Sequence, residues 1–462
     1  MNKQKISDLV NKIDEVVTFE GWIDSARDHG NLAFLDVRDR SGIVQVVVWD
    51  KNLIPIASSY GSEDLIRISG KVQKRPEKLI NSNIPTGSIE VGSTSLKLIS
   101  KSETLPFEIN TDTSAISELN RFEYRYLDLR SARMQNNLKM RSKINHFFRS
   151  YLEKNGFWEI ETPSLTKGTP EGAREFIVPS RTQPGKFFVL PQSPQQFKQL
   201  LMVSGIEKYY QIAKCFRDED QRGDRQPEFT QLDIEASFID QAELLGFLEK
   251  MIISLVKELF PEKKLKQTPF PRMTYQEVMS KYKSDKPDLR ETDDPDELAF
   301  LWVVDFPMFD YSETEKKIVA NHHPFTRPLD EDLPLLDTEP KKARANAYDL
   351  VLNGSEIGGG SIRIHERELQ EQIFKILALS DKEIQSRFGH MLKAFKFGAP
   401  PHGGFAFGLD RLITILLNQK SIREVIAFPK TGDAKDPLMG APDAVSKDIL
   451  DEVHIEVKKP KK

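Results

Sequence analysis

Hydrophobic and polar side chains alternate most regularly between Tyr209 and Phe238, which predicts two strands joined by a charged loop. One side of this hairpin is apolar, and the other carries arginine, acids and an amide. Such alternation is most often that of a sheet with one solvated face. The loop, with acids and arginines around Gly223 and Pro227, instead suits a polyanionic ligand. The polar side contains Arg217, Glu219, Gln231, Asp233 and Glu235.

Residues 1–105 predict five or six short strands separated by Gly, Asn, Ser and Pro. This density of strands fits a small barrel of the oligonucleotide-binding kind. The basic and acidic residues of this segment are equal in number, so any RNA would be bound by base stacking and by contacts to base edges. Phe34 and Gln45 are suited to such contacts. A barrel with a purely structural role fits the pattern equally well. The predicted strands are Val16–Trp22, Leu32–Arg38, Ile43–Trp49, Leu65–Val72, Ile89–Val91 and Leu96–Ile99.

Residues 106–135 lack sustained periodicity and are predicted to be a linker. A long amphipathic helix follows and ends at Gly156. Pro163 removes a backbone donor from the next predicted strand, so that strand should lie at an edge or an interface, which favours a dimer contact. The apolar stripe of the helix consists of Leu138, Ile144, Phe147, Phe148, Tyr151 and Leu152.

Two further segments carry polar residues whose default roles are structural. A helix after Gln192 would place Gln195 and Lys198 on one face, and an isolated lysine there is by default solvated. His322 and His323 precede a proline turn without the partners of a zinc site, so substrate contact or plain structure is favoured.

The Asn353-Gly354 pair predicts a two-residue hairpin turn. It would place Asp349 diagonal to Glu356 on one face, about 7 to 8 Å apart at the backbone, where two carboxylates can share Mg²⁺. Three glycines then leave room for a ligand beside the backbone, although a bulge explains them nearly as often. Arg363 follows one strand step later.

A last informative segment is GAPPHGGFAFGLDRLITILL. Phe405 and Phe407 alternate in a predicted strand that Gly408 ends, and Asp410 and Arg411 open an apolar helix. Arginine at a helix amino terminus opposes the macrodipole, which favours binding of an anion or nucleotide there.

Composition changes this picture only slightly. With 462 residues, 39% hydrophobic and 29% charged, the chain is typical of a protein with two or three globular domains. The net charge of −4 argues against bulk capture of nucleic acid. The single cysteine, Cys215, excludes a disulfide framework and is predicted to be a packed small side chain. The absence of a signal-like segment and of a run of about 18 apolar residues predicts a cytoplasmic protein that does not span a membrane.

Arg217, the Asp349 and Glu356 pair and Arg411 together suit a nucleoside triphosphate, although the chain has no Walker loop. The predicted reaction is attack by a carboxylate on an α-phosphate, with pyrophosphate leaving. It needs positioned cations and no general base.

The stretches TPSLTKGTPEGARE, FRDED with RQPEFTQLDIE, and GFAFGLDR resemble the three ordered motifs of the class II aminoacyl-tRNA synthetases. QSPQQFK, HHPFT and GGGSIRI occur in the order found in the bacterial aspartyl family, and the resemblance extends from the barrel to the tail. It implies an α+β fold with an oligonucleotide-binding (OB-fold) anticodon barrel in residues 1–105, a hinge in 106–135 and a catalytic domain on an antiparallel sheet flanked by helices in 136–462. It also implies a homodimer.

The resemblance implies that L-aspartate is activated with ATP and Mg²⁺ and transferred to tRNA-Asp. Arg217 and Arg411 would be catalytic, and Asp349 and Glu356 would bind Mg²⁺. Aspartate would contact Glu171, Gln195, Lys198, Arg217, Asp233, His322 and Arg363. ATP would contact Arg217, Asp218, Glu219, Gln226, Phe229, Glu356, Gly408, Leu409, Asp410 and Arg411. Anticodon contact or tRNA discrimination would fall to His29, Phe34, Gln45, Leu79 and Glu90.

The chain departs from the bacterial family pattern in two ways. The large extra domain usual in that family is missing near residues 290–300, where a short connection stands instead. His29 resembles the residue of members that charge both tRNA-Asp and tRNA-Asn, whereas Leu79 does not match their pattern. Relaxed tRNA specificity is therefore a hypothesis.

Two rival functions remain at this stage. One is a sister ligase specific for asparagine or lysine, which amino-acid-dependent pyrophosphate exchange would distinguish. The other is a non-catalytic RNA-binding relative, which the intact Arg217, Glu356 and Arg411 disfavour.

Overall fold

The computed structural model describes residues 4–168, 172–219, 225–313 and 316–458. The chain forms two compact units, Met1–Ser117 with Tyr126–Gln135, and Glu118–Arg125 with Asn136–Lys462. Within the described ranges, no helix is both long and apolar enough to cross a membrane. The domain boundaries at 105 and 135 stay predictions.

The first unit contains a closed five-stranded barrel with the strand order β1-β2-β3-β5-β4, which confirms the predicted OB-fold. Alternate side chains along each strand enter the core, as in β2, where Ala33, Leu35 and Val37 are buried. The last two predicted strands form one strand instead, because a register shift between Ser69 and Gly70 of its partner accommodates a bend without ending the pairing. The elements are β1 Val16–Asp28, β2 Ala33–Asp39, β3 Gly42–Val48, α1 Ile54–Ser58, β4 Leu65–Lys74 and β5 Ile89–Ser100.

The segment predicted to be a linker contains short helices, α2 Glu118–Glu123 and α3 Arg125–Asp128. The predicted long helix is α4, Ala132–Lys154. Gly156 follows it with a φ of +83°, a conformation that glycine adopts without strain at a helix end.

An eight-stranded sheet with the order β12-β14-β17-β18-β19-β10-β9-β6 organises the described part of the second unit. Its inner pairs are antiparallel, and the outermost pair at each edge is parallel. The strands are β6 Trp158–Glu159, β7 Ile177–Pro179, β8 Phe187–Val189, β9 Lys208–Phe216, β10 Glu228–Ser237, β11 Lys264–Leu265, β12 Arg272–Thr274, β13 Glu297–Leu298, β14 Phe300–Val304, β15 Phe309–Ser312, β16 Lys317–Ala320, β17 Ala347–Leu352, β18 Ser355–Ile362 and β19 His402–Gly408.

Helices flank this sheet, as the resemblance implied. The helices after α4 in this unit are α5 Gln195–Val203, α6 Gln241–Leu259, α7 Tyr275–Tyr282, α8 Leu335–Thr338, α9 Arg367–Ile376, α10 Asp381–Ala394, α11 Leu409–Leu416 and α12 Lys447–Glu452. Short 3₁₀ turns connect several of them.

Helices α4 and α6 cover one face of the sheet. A capping box at Asp240 starts α6, whose apolar stripe packs with Leu232 and Ile234 of β10 in the main core. From α4, Phe148 stacks on Phe407 of β19 with ring centroids 6.2 Å apart. The apolar side of the predicted hairpin therefore faces these helices, and its polar side faces the opposite surface of the sheet.

The strand predicted around Pro163 is wrong, because β6 ends at Glu159 and Pro163 lies outside any strand. The edge placement holds for β6 itself, which pairs only with β9 among the described strands. Proline lacks the N–H that pairing would need, so no strand could extend through position 163.

A short connection between α7 and β13 stands where the family's extra domain was expected. β13 pairs in parallel with β11, so the connection returns directly to the core of the unit. Lys263 Nζ holds it there, 2.9 Å from Asp296 Oδ1 and 2.6 Å from Asn418 Oδ1.

Candidate active site

A cavity of about 710 Å³ opens on the polar side of the sheet in the second unit. It gathers residues from segments separated by more than two hundred positions. The predicted residues that line it are Gln195, Lys198, Arg217, Glu219, Gln226, Phe229, Asp233, His322, Asp349, Glu356, Arg363, Gly408, Asp410 and Arg411.

Three of the residues predicted to contact aspartate or ATP stand apart from this set. Asp218 is exposed and does not line the cavity. Leu409 is fully buried in the main core, so its side chain packs against protein. Glu171 lies outside the described residues.

The polar face of β10 is buried, so its interpretation as a solvated face is wrong. Asp233 and Glu235 are both 0% exposed. Opposite them on β19 lie Ala406 and Gly404, which leave space for the carboxylates. A Cβ atom at Gly404 would lie 1.8 Å from a Glu235 carboxylate oxygen, so only glycine fits there.

Four buried charged side chains form a cluster at this face of β10. Lys198 Nζ lies 2.7 Å from Asp233 Oδ1 and 3.2 Å from Glu235 Oε2, and Arg363 Nε lies 2.9 Å from Glu235 Oε1. Lys198 is only 2% exposed, so its predicted solvation is wrong. Buried charges are tolerated when they are paired, and two cations with two anions leave this cluster neutral.

Arg363 is held by three partners that sequence reasoning did not assign to the site. Besides Glu235, it donates to Ser361 Oγ at 2.7 Å and to Nε2 of His323. The alternation along β10 already placed Glu235 beside Asp233, so it was available as a signal. His323 carried no such signal, because adjacent residues on a strand would point in opposite directions.

The electrostatics of the cluster keep Glu235 ionised. Burial alone would raise the pKa of Glu235, but the charges of Arg363 and Lys198 outweigh it and lower the pKa to about 2. The pKa of Asp233 is raised by burial, which Lys198 opposes only in part.

Both neighbouring histidines are neutral at pH 7. Burial, and next the positive charge of Arg363, lower the pKa of His322 to about 4 and place that of His323 well below its usual 6.5. The ring of His322 also packs edge-on against Phe306, with centroids 4.7 Å apart.

Three buried polar atoms on the cavity wall have no hydrogen-bond partner among the described residues. They are Asp233 Oδ2, Arg217 Nε and His322 Nε2. Buried polar groups are rarely left unsatisfied in the native state. A carboxylate oxygen, a guanidinium N–H and an imidazole nitrogen facing one cavity suit a ligand that carries both an ammonium and a carboxylate group.

Arg217 lies at the start of the charged loop that follows β9. Its guanidinium carbon lies 5.1 Å from the centre of the Phe229 ring, and its backbone N–H donates to Pro227 O at 2.9 Å. These contacts fix the two ends of the loop, while its tip, residues 220–224, lies outside the described ranges.

Gln226 is bonded to the protein through both ends of its amide. Its Oε1 accepts from the Lys430 N–H at 2.7 Å, and its Nε2 donates to Lys430 O at 3.0 Å. The side chain thereby joins the foot of the charged loop to a segment that is 204 positions away in the sequence.

Asp410 supports the strand-to-helix turn between β19 and α11. Its carboxylate accepts from the Thr230 N–H at 2.9 Å and from Arg141 at 2.5 Å. Arg411 donates from Nη1 to the backbone oxygen of Glu356 at 2.5 Å, which places its guanidinium beside that acid.

The β17–β18 hairpin has the predicted pairing of Val351 with Glu356 at its turn, but the bulge beyond this pair was not predicted. Leu352 pairs with Ser355 and Val351 pairs with Glu356, and a bulge after this pair brings Asp349 opposite Gly359. The pKa of Asp349 is raised well above its usual value by burial and by the nearby negative charges of Glu356 and Asp285.

Such repulsion between Asp349 and Glu356 is relieved by a cation, and hard oxygen ligands fit Mg²⁺. In the described part of the chain, no group of three or more His, Cys, Asp or Glu side chains is arranged to hold a metal ion. A cation at the two acids would therefore need further oxygen ligands from a bound substrate.

The residues expected to meet an anticodon belong to the first unit. Phe34, Gln45 and Glu90 lie at outward positions on the neighbouring strands β2, β3 and β5. The ring of His29 packs edge-on against Phe34, with centroids 5.7 Å apart. Leu79 is exposed in a short 3₁₀ turn after β4.

The neutral His322 predicts a pH dependence of stability. Because its pKa falls from 6.5 in the unfolded chain to about 4 in the folded one, the unfolded state takes up protons first as the pH falls. Its contribution to the free energy of unfolding is complete above pH 6.5 and is lost towards pH 4, by up to about 1.4 kcal/mol per pH unit. Denaturant unfolding across this range should show a smaller slope in His322→Gln, and an unchanged slope would contradict the assignment.

Models of two protein families match the chain. The family described as tRNA synthetases class II (D, K and N) matches residues 117–432, and the family described as OB-fold nucleic acid binding domain matches residues 17–98. The first match spans more than half of the chain and includes the described cavity residues.

Curated relatives match over nearly their whole length. The aspartate–tRNA(Asp/Asn) ligase of Thermoanaerobacter sp. (strain X514) is 43% identical over 575 residues, which cover 97% of this chain and 97% of the relative. The aspartate–tRNA ligase of Staphylococcus aureus (strain NCTC 8325 / PS 47) is 40% identical and covers 96% and 97%. Both alignments are longer than the 462-residue chain, so part of each relative faces a gap, consistent with a missing extra domain.

Solved structures share the fold. An asparaginyl-tRNA synthetase from Pyrococcus horikoshii, complexed with asparaginyl-adenylate, has a TM-score of 0.74 at 22% identity and covers 93% of this chain and 98% of its own. An aspartyl-tRNA synthetase from Entamoeba histolytica has a TM-score of 0.73 at 22% identity, with 93% and 91% covered. At these identities the likeness concerns the fold alone.

Proposed function

The chain belongs to the class II tRNA synthetases of the aspartate, lysine and asparagine group, and on this premise we propose that it is an aspartate–tRNA ligase. It activates L-aspartate with ATP and transfers the aspartyl group to the 3′ end of tRNA-Asp. Relatives of that name at 40 to 43% identity support the assignment. The observation that carries it is the convergence of unpartnered Asp233, Arg217 and His322 atoms beside the Lys198 and Arg363 cations.

The first step needs positioning and charge more than proton transfer. An α-carboxylate oxygen of aspartate attacks the α-phosphorus of ATP, the bond to the bridging oxygen breaks, and pyrophosphate leaves. Arg217 lies where it can hold the carboxylate and stabilise charge on the α-phosphate, and Phe229 supports its guanidinium. Arg411, beside Glu356, serves the phosphates at the other side of the cavity.

Selection of aspartate follows from the buried cluster. The ligand ammonium would bind the unpartnered oxygen of Asp233, and the side-chain carboxylate would face Lys198 and Arg363. Asparagine has the same shape without the charge, so its side-chain amide would lose the charge-assisted hydrogen bonds that the aspartate carboxylate makes with Lys198 and Arg363.

Mg²⁺ would be held by Asp349 and Glu356 together with phosphate oxygens of ATP. When bound, the ion neutralises charge that develops on the phosphates. Burial, and next the negative charges of Glu356 and Asp285, raise the pKa of Asp349, and a bound cation would favour its ionised form.

Gln226 is proposed to support ATP binding indirectly, by holding the foot of the charged loop in place. Both ends of its amide are already bonded to Lys430. Gln226→Leu should raise the KM for ATP about tenfold, the effect of losing one to two hydrogen bonds, and leave the KM for aspartate unchanged. ATP and aspartate saturation curves of pyrophosphate exchange measure both values. Lys430→Ala keeps the backbone partners and is the matched control, and a parallel rise in both KM values would refute this role.

Charging of tRNA-Asn as well as tRNA-Asp is a finer proposal. Several relatives carry the name aspartate–tRNA(Asp/Asn) ligase, and His29 lies exposed beside Phe34 on the barrel. Aminoacylation of purified tRNA-Asp and tRNA-Asn side by side tests it. Comparable kcat/KM values are expected, and strict preference for tRNA-Asp would reject it.

A homodimer is also proposed, through the exposed edge at β6. Trp158 on this strand is 62% exposed, and beside it Pro163 lines an apolar groove with Phe197 and Leu200 of α5. Sedimentation of the purified protein should give a dimer, and Trp158→Glu should shift it towards monomer. A monomeric wild-type protein would exclude the interface.

A cytoplasmic location stays a prediction.

Aspartyl-adenylate is the product that separates this function from a non-catalytic role. Purified protein with ATP, Mg²⁺ and aspartate, but without tRNA, should form it. Its absence would favour an RNA-binding protein that retains only the fold.

A further inference from the structure

An exposed basic strip follows helix α10 and the turn after it. Arg387, His390 and Lys393 follow one another at three-residue intervals, so they occupy neighbouring positions along the exposed side of the helix. Lys396 and Phe397 follow in the next turn, and Phe397 is 73% exposed. Lys167 joins them, because its Nζ donates to the backbone oxygen of Ser386. We name these six residues, Lys167, Arg387, His390, Lys393, Lys396 and Phe397, the α10 surface.

The acids of α10 do not cancel this charge along the helix. Asp381 and Glu383 both lie in its first turn. The Glu383 carboxylate accepts from Ser380 N at 2.9 Å and from Ser380 Oγ at 2.7 Å, so it serves as the helix cap. The remaining turns present the cations Arg387 and Lys393 beside an exposed aromatic ring. Burial, and next the charge of Lys167, lower the pKa of His390, so its ring is neutral at pH 7.

The α10 surface belongs to the same side of the sheet as the cavity. The buried side of α10 packs Phe388 edge-on against Phe325, and Phe325 lies two residues after His323 of the cavity wall. Val203 of α5 packs against the same cluster, while Gln195 and Lys198 of that helix line the cavity. Helix α10 therefore backs the cavity wall and exposes its basic side beside it.

The chain also links this surface to the cavity wall. Lys167 contacts α10, and Gly172 lines the cavity. Five residues of chain span at most about 17 Å, which bounds the distance between these two points. A polymer whose end enters the cavity would have its next units within reach of α10.

We propose that the α10 surface binds the acceptor end of the tRNA, with its cations on the phosphates and Phe397 stacked on an unpaired base near the 3′ end. The surface rests on the proposed function, since that function supplies the polyanion whose end must reach the cavity. The net charge of −4 makes general attraction of RNA unfavourable, so local basic strips must guide it. Unpaired RNA ends are bound by aromatic stacking and backbone contacts.

A double charge reversal, Arg387→Glu with Lys393→Glu, tests the electrostatic part. The KM for tRNA in aminoacylation should rise at least tenfold at low salt, and the slope of log KM against log salt should fall by about 1.5, the effect of two lost phosphate contacts. Phe397→Ala should raise the KM for tRNA roughly tenfold without changing that slope, because stacking is uncharged.

The matched control is Lys250→Glu with Lys257→Glu on α6. Both lysines are exposed, and α6 covers the opposite face of the sheet. This variant carries the same change in charge and should leave the KM for tRNA and its salt slope unchanged. If both double variants raise the KM equally, general repulsion explains the effect and the proposal is overturned.

Pyrophosphate exchange with aspartate and ATP separates this proposal from the proposed function, because exchange needs no tRNA. It should proceed in every variant at close to the wild-type rate. An inactive wild-type protein would refute the proposed function, whereas normal exchange with an unchanged KM for tRNA in the α10 variants would refute the α10 surface alone.

Lys393 lies in the last turn of α10, where a glutamate opposes the helix dipole, so Arg387→Gln with Lys393→Gln is measured as well. This neutral pair loses the same two phosphate contacts, so it should give the same fall in salt slope with a smaller rise in the KM for tRNA, and no effect in it would also overturn the proposal.

Discussion

Replacing Arg217 by leucine will slow aspartate-dependent pyrophosphate exchange by about a thousandfold. The guanidinium lies over Phe229 at 5.1 Å with its Nε unpartnered on the cavity wall, so it is positioned before substrate arrives. Removing one such preorganised donor costs about a hundredfold to a thousandfold in catalysis, and Arg217 would also lose its hold on the aspartate carboxylate. Arg217→Lys keeps the positive charge but lacks the planar guanidinium. Its exchange rate should lie between that of the wild-type enzyme and that of Arg217→Leu.

Initial rates with saturating ATP and aspartate measure this loss. Arg149→Leu is the control, because Arg149 pairs with Glu159 away from the cavity and its loss should leave the exchange rate unchanged. An Arg217→Leu enzyme with more than a tenth of the wild-type rate would contradict the assigned role.

Replacing Arg363 by leucine will have the second large effect, on aspartate binding and on stability together. Arg363 is 1% exposed and pairs with Glu235, which is fully buried. Its removal leaves an excess negative charge in the cluster, which should lower the free energy of unfolding by about 3 to 5 kcal/mol and raise the KM for aspartate by at least about a hundredfold.

The double variant Arg363→Leu with Glu235→Leu separates the two effects. Removing both partners should restore part of the stability, measured by denaturant unfolding, because no uncompensated charge remains from the pair. Aspartate affinity should stay low in both variants, because the side-chain carboxylate still lacks one cation. A wild-type KM for aspartate in either variant would contradict the role of Arg363.

The hairpin that carries Arg217 and Asp233 could be predicted from alternation alone, but the burial of its polar face could not. Alternation tells which side chains share a face, and it contains no information on what covers that face. Gly404 and Lys198, which make the burial of Glu235 possible, come from distant parts of the chain. The same limitation explains why Lys198 was expected in solvent.

The family motifs located the cavity residues, but they could not tell which side chains are free to bind a ligand. Gln226 and Asp410 both line the cavity, yet their polar atoms are bonded to Lys430, Thr230 and Arg141. Leu409 lies in the same motif and packs into the core. These distinctions depend on contacts across more than a hundred positions, which no local pattern encodes.

Element ends were predicted least well. Pro163 was placed within an edge strand, whereas pairing already ends at Glu159. The strand Ile89–Ser100 was divided in two, because the serines and glycine at its centre suggested a turn where the chain only bends at a bulge. In both cases the tertiary pairing decides the boundary.

The most direct test of the central claim is amino-acid-dependent ATP–pyrophosphate exchange by the purified protein with Mg²⁺. Aspartate should stimulate exchange, while asparagine and lysine should give no more than background, because the proposed role of the Lys198 and Arg363 cluster is to bind a side-chain carboxylate. Stimulation by asparagine or lysine without stimulation by aspartate would contradict the account.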